Sequence, residues 1–279
     1  MKIKKSLNIS GKVISLETPV VMGILNVTPD SFYQNSRHQS LKNVLNESEK
    51  MLIEGALILD IGGYSSRPGA DEVTIEEEIN RVRPVVEAIA KNFPKAIISI
   101  DTFRHEVASV SLDYGAHIIN DISGGQMDAE MFDLVANWGC PYIVMHMRGT
   151  PRTMMTMTNY ENLLKELATY FSNIVKQLKD KGVKDIILDP GFGFAKTVEQ
   201  NYCLLKNLAY LKVLELPILA GISRKSMIYK KLEITSQEAL NGTTVLNSFA
   251  LMNGASILRV HDVKEAVETV KLFKEIQSG

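Results

Sequence analysis

Several features that mark large classes of protein are scarce or missing in this sequence. Its 279 residues include two cysteines and one tryptophan, and the formal net charge is −1. Cys140 and Cys203 lie far apart and have no neighbouring His or Cys, so zinc-site spacing is missing. We expect two reduced, buried or half-buried thiols in a cytoplasmic protein. The near-neutral charge argues against nucleic acid as a partner, because domains that bind it are strongly basic.

Long apolar runs are missing as well. No stretch of about 18 apolar residues is present, so we expect no membrane span. The basic N-terminus has no apolar segment long enough for a signal peptide.

What the sequence does contain is a series of eight short apolar runs, each with a polar group at or just past its C-terminal end. Short apolar runs bounded by turn residues fit strands that are buried on both faces, as in a parallel sheet. The runs are residues 20–25, 57–59, 97–100, 117–119, 142–145, 186–188, 218–222 and 257–258. The polar groups that follow are Asn26, Asp60, Asp101, Asn120, Asp121, His146, Asp189, residues 223–226, Arg259 and His261.

Helical patterns alternate with these runs, which predicts one α/β domain over residues 1–279, a (β/α)8 TIM barrel. A short N-terminal β-hairpin, about residues 7–18, precedes the barrel at about 20–277. The usual length of such a barrel is roughly 250 residues, and its active site lies at the C-terminal ends of the strands. The eight polar ends therefore predict a ring of functional groups at one face. The alternative for any single one is that it only caps the next helix.

Capping residues and periodicity also give approximate helix bounds. Thr74 and Asp128 are expected to cap the helices that follow them, and Asp262 the last helix. The predicted helices span residues 41–54, 75–92, 104–114, 129–138, 160–181, 204–214, 236–253 and 263–276.

The turns after the last two strands predict an anion site. This corner of the fold commonly binds phosphate, and hydroxyls, amides and cations together suit a phosphate or diphosphate. Its residues here are Ser223, Arg224, Lys225, Ser226, Arg259 and His261. Ordinary surface cations are the alternative. Lys225 could also form a Schiff base, as in barrel aldolases, but its cationic and hydroxyl neighbours favour an anion partner.

Four carboxylates, those of Asp60, Asp101, Asp121 and Asp189, are expected at the same rim. Like charges at that density repel unless something compensates. Either a divalent metal lies among them, or the ligand offers several N–H donors, as a flat amino-heterocycle would. Met145 and Phe194 could pack against such a ring. His146 and His261 could act as bases, or His146 could be a structural, hydrogen-bonded histidine.

Taken together, these segments resemble the dihydropteroate synthase family of folate biosynthesis over about residues 20–270. The matching motifs are Gly-Ile-Leu-Asn-Val-Thr-Pro-Asp-Ser-Phe (23–32), Asp-Ile-Gly-Gly (60–63), Ser-Ser-Arg-Pro-Gly-Ala (65–70), Ser-Ile-Asp-Thr (99–102), Asn-Asp-Ile-Ser-Gly (120–124), Met-His-Met (145–147), Asp-Pro-Gly-Phe-Gly-Phe (189–194), Ser-Arg-Lys-Ser (223–226) and Arg-Val-His-Asp (259–262).

The resemblance implies that 6-hydroxymethyl-7,8-dihydropterin diphosphate and 4-aminobenzoate condense to 7,8-dihydropteroate and diphosphate. It also implies Mg²⁺ as cofactor, a dissociative route in which diphosphate leaves first, and a homodimer formed through the last helices.

Residue roles follow from the same resemblance. Asn26 would ligate Mg²⁺, and Asp101, Lys225, Arg259 and His261 would be the catalytic residues. The pterin would be held by Asp101, Asn120, Met145, Asp189, Phe194 and Lys225. The diphosphate would be held by Asn26, Arg67, Arg259 and His261. The aminobenzoate would be held by Phe32, Ser66, Pro68, Lys225 and Ser226.

Two positions depart from the family pattern. Tyr64 stands where the family usually has Glu, and residues 33–36 replace its usual Ser-Asp-Gly-Gly. Three other readings remain open at this point. They are a methyltetrahydrofolate-dependent corrinoid methyltransferase barrel, a non-catalytic pterin-binding protein, and a Schiff-base aldolase acting through Lys225.

Overall fold

The computed structural model describes residues 3–27, 37–65 and 72–278, apart from the side chains of residues 37–39. Strands and helices alternate along it. The strands are β1 (Ser6–Ile9), β2 (Lys12–Ser15), β3 (Val20–Asn26), β4 (Ile58–Gly62), β5 (Ile97–Asp101), β6 (Ile118–Asp121), β7 (Tyr142–Met145), β8 (Ile186–Asp189), β9 (Leu219–Ala220) and β10 (Ile257–Val260). The helices are α1 (Arg37–Glu54), α2 (Ile75–Asn92), α3 (His105–Asp113), α4 (Met131–Trp138), α5 (Leu163–Asp180), α6 (Val198–Lys206), α7 (Ser226–Leu232), α8 (Leu240–Met252) and α9 (Val263–Ser278).

Strands β3 to β10 form one parallel sheet in the order β8-β7-β6-β5-β4-β3-β10-β9. A parallel bridge between Leu188 and Ile218 joins its two edges. The sheet therefore closes on itself and confirms the predicted (β/α)8 barrel. That residues 1–279 act as one domain stays a prediction.

Side chains alternate between the two faces of each barrel strand, because successive Cβ atoms of a strand point to opposite sides. On β4, Leu59 and Ile61 pack outward in the large core that includes the helices, whereas Ile58 packs inward. Asp60 therefore shares the inward face with Ile58. This alternation decides which polar strand ends face the barrel axis.

The N-terminal hairpin plugs the opposite end of the barrel. Leu7, Ile9 and Leu16 are buried against the inward apolar layer of the strands. The turn between β1 and β2 contains Ser10 and Gly11 at φ 48° and 81°, the left-handed values that a tight two-residue hairpin needs. The predicted hairpin at the bottom of the barrel is confirmed.

Each predicted helix overlaps an observed one, but several of the predicted boundaries are wrong. The cap at Thr74 is confirmed, since its side chain accepts from the Glu77 amide. Asp128 does not cap α4, which begins after Glu130; its carboxylate accepts from the amides of His105 and Glu130 instead. The helix predicted to start at residue 160 begins at Leu163 behind Asn162.

Two helical segments were missed. Helix α6 overlaps only the start of the helix expected at 204–214, and its N-cap Thr197 forms a capping box with Gln200. Residues 208–214 form a separate 3₁₀ helix. Helix α7 begins directly after Lys225, and the helix expected from residue 236 begins at Leu240. Helix α1 begins at Arg37, four residues before the predicted start. None of the described helices is long and apolar enough to cross a membrane.

Candidate active site

At the C-terminal ends of the strands, Arg259 forms the centre of a buried charge cluster. Its Nε donates to Asp60 Oδ2 at 2.6 Å, and its Nη2 donates to Asp101 Oδ2 at 2.6 Å. Asn120 Nδ2 donates to the same Asp60 oxygen at 3.0 Å. Strands β4, β5, β6 and β10 thus place one cation between two carboxylates and join an amide to the cluster. The sequence predicts that a metal or ligand N–H groups compensate these negative charges. The guanidinium of Arg259 supplies part of that compensation.

The charge states of this cluster follow from burial and from its ion pairs. Burial raises the pKa of Asp101 to about 7, against the lowering effect of Arg259, and the nearby Asp60 raises it further. Burial opposes the charge of Arg259, but Asp60 and Asp101 raise its pKa above the ordinary value. Arg259 therefore stays a cation, while Asp101 gains and loses its proton near neutrality.

Asp189 and Lys225 face each other on the other side of the mouth. A methyl group at Gly221 would lie 3.8 Å from Lys225 Nζ and 3.9 Å from Asp189 Oδ2, so both groups border the same small space. Lys225 Nζ donates to the Phe192 carbonyl at 2.5 Å and lies 4.7 Å from the centre of the Phe194 ring. Burial lowers the pKa of Lys225 to about 8, although Asp189 favours its charged form. Burial also raises the pKa of Asp189.

An apolar wall borders these charges at the same end of the barrel. Met145 is 2% exposed and packs with Phe103, Ile122 and Met147, and the partly buried Tyr64 and Phe194 complete the wall. Tyr64 meets the Phe103 ring edge-on at 5.2 Å, and the guanidinium of Arg104 lies over both rings. A planar ligand that carries N–H donors could lie against this wall while its edge meets the carboxylates.

Asn26 ends β3 beside Asp101. A methyl group at Gly62 would lie 3.8 Å from both Asn26 Oδ1 and Asp101 Oδ2, so these two side chains border the same space. The Asn26 side chain is exposed, so its amide oxygen is available to a ligand. One exposed oxygen donor fits Mg²⁺, which keeps several waters and takes most of its other ligands from substrate phosphates.

The predicted phosphate corner is only partly assembled as expected. Ser223 Oγ and His261 Nδ1 lie 3.0 Å apart, and Ser226 begins α7 directly after Lys225. Arg224, however, is committed to a bidentate pair with Asp262, at 2.9 and 2.5 Å. The expectation that Arg224 binds an anion is therefore wrong, because Asp262 holds its guanidinium. Asp262 directly precedes α9, and its role as the cap of that helix stays a prediction. Phe32, Ser66, Arg67 and Pro68 lie outside the described residues.

Two other rim residues are structural. Asp121 follows the inward Asn120 and so faces away from the axis, where it accepts from Tyr142 Oη at 2.6 Å and from the Ser123 and Gly125 amides. It does not join the other three carboxylates, contrary to the prediction. His146 is 2% exposed, and burial together with Lys196 lowers its pKa to about 2, so it is a neutral, hydrogen-bonded histidine.

Two further features of the site have no local signal in the sequence. Asp60 was expected at the rim but not as the residue that joins Arg259 to Asn120. Lys196 was not singled out, because nothing in the sequence ties it to His146, 50 residues away. Cys140 is buried as expected, but Cys203 is exposed, and both thiols are free.

One further group has spacing suited to a cation. Ligand atoms of His105, Glu106 and Asp128 all lie within 4.8 Å of one another at the start of α3. His105 Nδ1 already lies 2.9 Å from Asp128 Oδ2, and this pair accounts for the arrangement. Asn26 is not part of this group.

Comparison with known proteins agrees with the site. A family model described as pterin binding enzyme matches residues 22–261. Dihydropteroate synthase of Escherichia coli (strain K12) is 44% identical over 271 residues, 96% of this chain and 95% of the relative. Dihydropteroate synthase of Synechocystis is 44% identical over 90% of this chain and 88% of the relative.

Solved structures agree as well. A Yersinia pestis dihydropteroate synthase in a sulfonamide drug complex superposes with a TM-score of 0.92 at 41% identity, covering 98% of this chain and 100% of that one. Xanthomonas albilineans dihydropteroate synthase with 4-aminobenzoic acid gives 0.91 at 33% identity, covering 99% of both chains. By the extent of these matches, the chain belongs to the pterin-binding enzyme family and, within it, to the dihydropteroate synthases.

Proposed function

We propose that this protein condenses 6-hydroxymethyl-7,8-dihydropterin diphosphate with 4-aminobenzoate, giving 7,8-dihydropteroate and diphosphate. The observation that carries the proposal is the Arg259 cluster beside the apolar wall. Carboxylate and amide oxygens of Asp101, Asn120 and Asp189 suit the N–H donors of a pterin edge, and Met145 and Phe194 suit its faces. Lys225 lies where it can reach the ring's oxygen or nitrogen acceptors.

The diphosphate end of the substrate needs cations and hydroxyls. Arg259 and His261 are the described residues that we assign to it, with Asn26 on the neighbouring strand and Arg67 from outside the described residues. When bound, Mg²⁺ would offset the negative charge of the diphosphate and so stabilise the diphosphate as a leaving group. Asn26 would be the protein ligand of the Mg²⁺.

We propose a dissociative reaction. The bond between the methylene carbon and the diphosphate oxygen breaks first, which leaves a cation shared between the methylene group and the dihydropterin. The neutral amine of 4-aminobenzoate then attacks as the nucleophile, a C–N bond forms, and the nitrogen passes a proton to solvent. Asp101, in its carboxylate form, lies where the positive charge develops and lowers the energy of that transition state.

The aminobenzoate pocket is assigned to Lys225 and Ser226 together with Phe32, Ser66 and Pro68. Of these, Lys225 and Ser226 lie at the start of α7, next to the wall formed by Phe194.

We also propose that the protein is a homodimer formed through α8 and α9, which pack against each other. Their outer faces expose Val245, Phe249 and Met252 on α8 and Leu272 and Ile276 on α9, and Phe249 and Met252 are 53% and 70% exposed. Apolar side chains grouped in this way favour burial against a second copy. We expect a dimer by light scattering, and a monomer for Phe249→Glu; a monomeric parent protein would contradict the proposal.

We also propose that the protein is cytoplasmic, since its two free thiols fit a reducing compartment.

The reaction is tested with purified protein, the pterin diphosphate, 4-aminobenzoate and Mg²⁺, by following both diphosphate release and dihydropteroate formation. We expect product only when both substrates and Mg²⁺ are present, and strongly reduced turnover in Asp101→Asn. Pterin binding without turnover would instead support a non-catalytic pterin-binding protein. Methyl transfer from methyltetrahydrofolate would support the corrinoid methyltransferase barrel, and borohydride trapping of a carbonyl substrate on Lys225 the aldolase.

A further inference from the structure

Lys196 is a buried lysine whose ammonium group does not reach the charge cluster around Arg259. The residue is 4% exposed and lies in the loop between β8 and α6. Its Nζ donates to the carbonyls of Gly191 and Phe194, each at 3.0 Å, and lies 3.1 Å from His146 Nδ1. A primary amine that is this buried must satisfy its hydrogen bonds inside the protein, and these three partners do so.

The loop held by Lys196 carries two of the proposed pterin contacts. Asp189 stands at its start and accepts from the Gly191 amide at 2.8 Å. Phe194 stands near its end, with the ammonium of Lys225 over its ring. Lys196 binds the carbonyl of Gly191, two residues after Asp189, and the carbonyl of Phe194 itself. It therefore holds the loop close to both pterin contacts.

His146 anchors Lys196 to the neighbouring strand. It directly follows Met145 of β7, and its ring packs edge-on against Tyr170 at 4.9 Å. The neutral imidazole can accept a hydrogen bond at Nδ1 from the ammonium form of Lys196. It can also donate from Nδ1 to the amine form, because neutral histidine has one donor and one acceptor nitrogen. The hydrogen bond is therefore available in both charge states of Lys196, whose pKa burial lowers to about 7.

From this geometry we propose that Lys196 is a positioning residue: with His146, it ties the loop after β8 to the end of β7 and so holds Asp189, Phe194 and Met145 in one pterin-binding arrangement. This inference rests on the proposed function. It does not place Lys196 in contact with substrate. Its loss should therefore weaken pterin binding more than it slows the chemical steps.

The test compares Lys196→Met with Lys176→Met. Methionine keeps the length and the apolar stem of Lys196 but leaves the three partners without a donor. Lys176 lies on α5 with its side chain 79% exposed, so its substitution is a matched surface control. We expect the KM for the pterin diphosphate to rise about tenfold or more in Lys196→Met, the loss expected when buried hydrogen bonds are broken. The kcat and the KM for 4-aminobenzoate should change much less, and the control should match the parent.

A second pair of variants keeps the inference testable if Lys196→Met does not fold. His146→Leu leaves Lys196 in place but removes its partner on β7, and we expect the same selective rise in KM. His146→Asn retains an acceptor close to the position of Nδ1, so its KM should return toward that of the parent. In the parent at pH 6, nitrogen NMR should show the His146 ring as the Nε2–H tautomer, because the ammonium donates to Nδ1.

Two failures are distinguishable. If the parent protein forms no dihydropteroate, the proposed function fails. If the parent is active and folded Lys196→Met and His146→Leu keep its KM for the pterin diphosphate, the positioning role is wrong while the proposed function stands. A fall in kcat with the KM values for both substrates unchanged would also overturn the positioning role.

Discussion

Replacing Asp60 by Asn probes how the Arg259 cluster is held. Asp60 has no exposed surface, and its Oδ2 accepts from both Arg259 and Asn120. Asparagine can keep an oxygen in that place, so both hydrogen bonds can form, but the one from Arg259 loses its ionic partner. The guanidinium keeps its charge, so its bond remains charge-assisted, whereas the bond from Asn120 then joins two neutral groups. Hydrogen bonds to charged groups contribute about 1.5–3 kcal/mol and neutral ones about 0.5–1.5, so the loss is about 1 kcal/mol or slightly more.

The second oxygen of Asp60 adds a further term. Asp60 Oδ1 is buried and has no hydrogen-bond partner among the described residues. In Asp60→Asn the amide NH₂ would take its place and would be a buried donor without an acceptor, which costs about 1–3 kcal/mol. We therefore expect a total loss of about 2–4 kcal/mol in the free energy of unfolding. Because Arg259 still binds Asp101, we expect kcat/KM for the pterin diphosphate to fall by about tenfold rather than to vanish.

Urea denaturation and steady-state kinetics measure the two quantities. Ser99→Ala is the matched control: Ser99 pairs with Asp60 across β4 and β5, is fully buried, and its Oγ also has no partner among the described residues. Its removal should leave the stability within about 0.5 kcal/mol of the parent and the kinetics unchanged, as for substitutions that break no named interaction. Unchanged stability and kinetics in Asp60→Asn would show that Asp60 does not hold Arg259 in place.

Two further predictions concern protonation and the loop after β8. The kcat/KM for the pterin diphosphate should rise as the pH increases through about 7, where the carboxylate of Asp101 forms, and should fall above about 8, where Lys225 loses its proton; the acid limb should be missing in Asp101→Asn. A single flat profile from pH 6 to 9 would contradict both assignments. Gly191→Ala should destabilise the fold by more than about 2 kcal/mol, because a left-handed conformation costs a non-glycine residue about 1–2 kcal/mol and the new Cβ would also lie 2.1 Å from the His146 carbonyl oxygen. Gly182→Ala has a similar φ but meets nothing within 4 Å, so in urea denaturation it should show the smaller loss alone.

Much of the fold could be predicted from the sequence because two local signals agree along it. Apolar runs of strand length are each followed by a polar residue, and helical patterns separate them. Parallel strands joined by helices have their C-terminal ends on one face, so the polar ends had to meet. One error in helix bounds arose where the chain contains two short helices instead of one, at α6 and the 3₁₀ helix that follows it.

The site could be predicted as a group of residues but not as a set of bonds. Asn120 and Asp121 are adjacent, so only one of them can face the barrel axis; the alternation of a strand would have excluded Asp121. Pairing is different. Arg224 binds Asp262, 38 residues away, and Arg259 binds Asp60, 199 residues away. No local pattern distinguishes the arginine that is committed to a half-buried pair with Asp262 from the one that lies in the site.

The charge balance of the described mouth connects the fold with the proposed chemistry. Asp60, Asp101 and Asp189 carry three negative charges when ionised, whereas Arg259 and Lys225 carry two positive charges. One negative charge among these groups is therefore left without a matching cation, and burial raises the pKa of Asp101 to about 7 although Arg259 lowers it. A methylene-dihydropterin cation would supply the missing positive charge at the moment it forms, whereas the uncharged pterin ring of the substrate would not. The carboxylates are held in place by Arg259 and Asn120 before the reaction, so the protein need not reorganise to stabilise that charge, which is the condition under which fixed electrostatics lowers a barrier.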